Sequence, residues 1–107
     1  MAGGELDNNR LLLEISSRIR ELNRRIINPV IPELALDDLS PVLKLVAMAR
    51  AAYLKELFDL AGIVGDQIPS PGQVTHLSHL RSTYEELVTG VQALESAIER
   101  GYLDVQG

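Results

Sequence analysis

Leu77 to Ile98 reads LSHLRSTYEELVTGVQALESAI, and the placing of its apolar residues decides the fold. Leu77, Leu80, Tyr84, Leu87, Val91, Leu94 and Ile98 recur at alternating steps of three and four, the heptad spacing of a helix with one apolar stripe. With its flanks the segment predicts a helix over 71–100, about 40 Å long at 1.5 Å of rise per residue. Ser70-Pro71-Gly72-Gln73 supplies the start: a serine cap, a proline at the first helical position, and a glutamine three residues on that completes a capping box. Gly101 is the natural stop. A stripe of this kind has to be covered by other helices.

Two further helices are legible upstream. Leu12, Ile15, Ile19, Leu22 and Ile26 repeat the same spacing, which predicts a first helix over 7–27 capped by Asp7 or Asn8 and ended by Asn28-Pro29. Ser40-Pro41 predicts the start of a second helix over 41–61, with Gly62 as its stop. Between them, Pro29 to Leu39 carries Val30, Ile31, Leu34, Leu36 and Leu39, too apolar for a solvated linker. The expectation is that it folds back over the end of the helices, with a tail of Tyr102, Leu103 and Val105 docking on the body. The fold class is therefore all-α: an antiparallel three-helix unit of one domain, residues 1–107, assembling into a larger bundle as a homodimer.

The homodimer expectation comes from the second helix. Lys44, Met48, Ala52, Lys55 and Asp59 share one mostly polar strip, and apolar residues spread over the rest of the circumference. That arc far exceeds the roughly 100° stripe of a surface helix. Two companions leave part of it uncovered; the Pro29–Leu39 segment could wrap the remainder within one chain, but a second copy of the chain is the expected cover, through Val46, Arg50, Tyr53 and Leu57. Small residues at Thr83, Gly90 and Ala97, spaced by seven beside the third-helix stripe, would allow close backbone approach.

Composition narrows the classes. The chain has 107 residues, a net charge of −5 and no cysteine, which removes disulfides, thiolate metal sites and cysteine nucleophiles. Val42 to Ala61 is the longest apolar segment, yet Lys44, Arg50, Lys55, Glu56 and Asp59 interrupt it, so it is not a membrane span. The first residues, Met1-Ala2-Gly3-Gly4-Glu5, lack the basic and apolar regions of a signal peptide. A cytoplasmic protein is expected.

Chemistry is sparse. Arg50 stands among Val46, Ala47, Tyr53 and Leu54, and a guanidinium there needs a partner, because an unpaired buried charge is costly. An interface salt bridge or hydrogen bond is the first reading; an anion site using Arg18, Arg25 and Arg50 is the second. His76 and His79 have the spacing of a shared metal, but the acids Glu85, Glu86 and Glu99 point outward, so solvated or capping roles account for both and no metal or cofactor is assigned. The run Arg18, Arg20, Arg24 and Arg25 suits the negative end of the first helix. It could otherwise meet nucleic acid, against which stand the acidic balance and the few aromatics. The serines lie inside helices without a strained turn, and there is no glycine-rich phosphate loop. The function expected is a non-catalytic helical protein–protein interaction module, an accessory subunit, scaffold or regulator, whose partners are itself and another protein. The alternatives are a helical enzyme or binding protein for an anionic small molecule that uses Arg50, and a nucleic-acid-associated factor.

Overall fold

A computed structural model describes residues 2–31 and 33–106, with side chains from residue 4. Met1, Pro32 and Gly107 lie outside the described residues, so the readings of the N-terminus and of the Pro29–Leu39 segment apply to the rest. Among the described residues the architecture is all-helical, with three helices: α1 (Ala2–Ile27), α2 (Leu36–Val64) and α3 (Pro71–Glu99). Among the described residues the one β-type pairing is an isolated bridge between Leu34 and Val105. The described chain divides into two compact units, 1–36 with 95–107, and 37–94.

The helix ends show which local signals win. At Ser70 the capping box forms as the spacing predicts: the Gln73 amide donates to the Ser70 hydroxyl at 3.2 Å, and the Ser70 amide donates to Gln73 Oε1 at 2.8 Å. At the other end of α3, Gly101 takes a φ of 74°, while the amides of Gly101 and Tyr102 donate to the carbonyls of Ile98 and Ala97 at 3.1 and 2.9 Å. That pair of bonds is the Schellman closure, and it needs the left-handed backbone that glycine permits.

Three boundaries differ from expectation. Helix α1 begins at Ala2 rather than 7, since no proline interrupts residues 2–8 and Glu5 sits at the positive end of the helix dipole. Helix α2 begins at Leu36 rather than 41 and carries Pro41 inside it. The proline removes one early backbone bond, while Asp37 and Asp38 in the first turn stabilise the start. At its far end α2 passes Gly62 and stops at Gly65, whose φ is 59°; half-buried Val64 holds the additional turn against its unit.

In the unit 37–94, α2 and α3 form an antiparallel hairpin. From Arg50 to Glu56 along α2, the partner on α3 moves back from Tyr84 to His76. On α3, the half-buried positions include every member of the predicted stripe from Leu77 to Leu94. On α2, the covered positions are Leu39, Val42, Val46, Ala49, Tyr53, Glu56, Leu60 and Val64, with Leu60 only 5% exposed. This is a second heptad seam, which the breadth of the apolar arc conceals from a sequence projection.

The unit formed by 1–36 and 95–107 has its core where the tail docks. Tyr102 and Leu103 are 8% and 4% exposed, and burial of each side chain stabilises by about 1.5–3 kcal/mol. The Leu34 amide donates to the Asp104 carbonyl at 2.8 Å, and the Gln106 amide to the Leu34 carbonyl at 2.7 Å. The apolar connection and the tail are thus stitched together. Val105, expected to dock as well, stays half exposed.

Candidate functional site

The open face of α2 follows from its seam. Moving one residue along from each covered position between Val42 and Leu60 gives Leu43, Ala47, Arg50, Leu54, Leu57 and Ala61, which keep the same three-four spacing about 100° further round the helix. All are exposed, and Phe58 beside them is 76% exposed. The helix therefore carries two adjacent tracks, one occupied by α3 and one empty in the single chain. Of the residues expected at an interface, Val46 and Tyr53 lie on the α3-facing track, and Arg50 and Leu57 on the open one.

Arg50 bridges the two tracks. Its Nε–H donates to the Tyr84 hydroxyl oxygen at 3.1 Å, and the guanidinium carbon lies 5.2 Å from the Tyr84 ring centroid. Tyr53 stacks on the same ring at 6.4 Å between centroids and 28° between planes. The guanidinium thus has an aromatic seat, which explains how a cation is tolerated in an apolar track. Tyr53 also lines a shallow groove with Val74, Leu77, Ser78 and Arg81.

His76 and His79 diverge. His76 Nε2 is 3.7 Å from Glu56 Oε2, whereas the His79 backbone carbonyl accepts the Thr83 hydroxyl. Among the described residues, no three His, Asp or Glu side chains gather as a metal site would require. Among the described residues no helix is long and apolar enough to cross a membrane.

The arginines of α1 have separate duties. Arg25 pairs with Glu21 at 3.1 Å, and Arg18 is exposed on the same helix. Arg24 reaches away from α1: it donates to the Gly101 carbonyl and to the Asp104 carboxylate, each at 2.8 Å. Hydrogen bonds from Arg24 and then Asn28, with the Arg24 charge behind them, hold the Asp104 carboxyl below its ordinary range. That clamp was invisible in the sequence, where Arg24 reads as one of four cations near a helix end. Arg18 and Arg25 belong to one compact unit and Arg50 to the other.

The α1 stripe is open too: Leu12, Ile15, Ile19, Leu22 and Ile26 are all exposed. Comparison of the chain with protein-family models, curated proteins and solved structures returns no match.

Proposed function

We propose that this chain is a non-catalytic helical interaction module that joins a second copy of itself through the open track of α2 and in that form presents helical surface to another protein. The observation that carries this reading is the open heptad seam of α2, Leu43, Ala47, Arg50, Leu54, Leu57 and Ala61, displaced by one residue from the seam that α3 covers. A helix with two adjacent seams has the pattern of one that touches two neighbours in a bundle. Burial of such a face is favourable at about 25 cal/mol per Å² of apolar surface, before the cost of association is subtracted.

The order of side chains along the track favours a two-fold, antiparallel contact. In that arrangement Leu43 meets Ala61 of the second copy, Ala47 meets Leu57, and Arg50 meets Leu54, so large opposes small at both ends. A parallel contact would set Arg50 against Arg50, two like charges in an apolar seam. Sedimentation equilibrium at micromolar concentration tests the proposal. A dimer is expected for the native chain and a monomer for Leu54→Glu with unchanged helicity; a native chain that sediments only as monomer sinks the reading.

A further inference from the structure

Arg20 differs from every other arginine of α1. The residues one turn away on its face are Ser16, Ser17, Asn23 and Arg24, none of them acidic, whereas Arg10, Arg18, Arg24 and Arg25 each have a carboxylate at three or four positions. The tail unit brings a second cation to it. Ser16, Ile19, Arg20, Arg100 and Tyr102 line one cavity of about 240 Å³ within the unit 1–36 with 95–107. Neither Arg20 nor Arg100 has an ion pair among the described residues. The carboxylate of the tail, Asp104, is already held by Arg24.

Two arginines lining one groove bring like charges together, a repulsion that an anion between them relieves. The negative end of α3 opposes an anion here, an effect reduced where its carbonyls already have partners. Those of Ile98 and Ala97 accept the closing amides, and Gly101 accepts Arg24. What remains is positive charge, the Ser16 and Tyr102 hydroxyls as donors, and an apolar wall from Ile19 and the Tyr102 ring. We propose that this groove binds a small phosphate monoester, with Arg20 and Arg100 on the phosphate oxygens and Ile19 and Tyr102 against the organic group. A dianion answers two cations better than a singly charged carboxylate does, and guanidinium–phosphate hydrogen bonds are charge-assisted. The site is separate from the open track of α2 and stands or falls independently of it.

Phenyl phosphate, titrated into the full chain at low ionic strength and followed by amide chemical shifts, is the probe. Saturable binding is expected, tighter than that of benzoate, with shifts at Ser16, Arg20, Arg100 and Tyr102. Arg20→Gln and Arg100→Gln should each weaken it about tenfold or more, the scale of a lost charge-assisted hydrogen bond. Arg18→Gln, outside the groove, should leave it unchanged, and Arg20→Lys, which keeps the charge, should retain part of it in a folded background. No saturable binding at millimolar phenyl phosphate, equal affinity for benzoate, or equal loss in Arg18→Gln overturns the site. Arg20-dependent sedimentation with phosphatidic acid vesicles, without phenyl phosphate binding, would assign the phosphate to a lipid headgroup and overturn the small-molecule form of the proposal.

Discussion

Arg24 and Asp104 lie 80 residues apart in sequence and 2.8 Å apart in space, and the same guanidinium also holds the Gly101 carbonyl at 2.8 Å. One α1 side chain therefore secures both the turn that ends α3 and the tail that follows it. Both partners are about half exposed, so water screens the pair and its contribution to global stability is small. The expected effect of Arg24→Gln is local: faster amide exchange at Leu34 and Gln106, with little change in the urea midpoint. Asp104→Asn should act similarly, and the double variant should be no worse than either single one. Exchange rates that do not move would separate the clamp from the tail's order.

The same pair gives a pH dependence with a definite sign. The folded Asp104 carboxyl titrates below its ordinary value of 3.8, so its stabilisation is fully present above the unfolded value and is lost as pH falls through the folded one. Tail amide protection should therefore decline below about pH 4, near the unfolded carboxyl value. Asp104→Asn should flatten the part of that decline specific to Leu34 and Gln106. Lys55, held charged by its hydrogen bond to Asp59, has a raised value, and its contribution disappears only at strongly alkaline pH.

Removal of the α3 cap should be measurable in any assay of global unfolding. Ser70→Ala leaves the Gln73 amide without its acceptor and is expected to cost about 1 kcal/mol, as for other lost serine caps. Urea denaturation checks this, and Ser70→Asp, which restores an acceptor, should recover most of the loss.

Gly90 lies in mid-helix with open space where a side chain would stand. Within a single chain, Gly90→Ala should stabilise α3 by about 0.5–1 kcal/mol through helix propensity alone. If the substitution instead weakens self-association, a second chain packs against that backbone, as the spacing of Thr83, Gly90 and Ala97 would allow.

Seating of Arg50 on Tyr84 predicts an asymmetric response. Tyr84→Phe keeps the ring and removes the hydroxyl acceptor, whereas Arg50→Met removes the charge and keeps much of the bulk. Sedimentation should show Arg50→Met associating as strongly as the native chain or more so, because a desolvated cation is replaced by an apolar side chain. Loss of association in Arg50→Met would mean that the charge itself is recognised.

The sequence was most informative where one residue type has one local role. The Leu77–Ile98 stripe, the Ser70–Gln73 box and the Gly101 closure all follow from spacing and backbone chemistry within one or two turns. It was less informative at the ends of α2, where Ser40-Pro41 and Gly62 are good signals that Asp37, Asp38 and the half-buried Val64 override. The two tracks of α2 merged into one broad arc because their members are sequence neighbours, as in Val42 with Leu43 and Tyr53 with Leu54. The meetings of Arg24 with Asp104, and of Arg20 with Arg100 in one groove, were beyond reach. They depend on a tail docking onto a helix made some eighty residues earlier, and no periodicity encodes that.

The stitch between Leu34 and Asp104–Gln106 sets an order of events during synthesis. Residues 37–94 are contiguous, so their hairpin can close as soon as it leaves the ribosome. Leu34 must wait for residues translated roughly seventy positions later, several seconds at about 5–20 residues per second. Throughout that interval α1 is without Tyr102 and Leu103, so the first unit acquires its buried core only when residues 95–107 arrive.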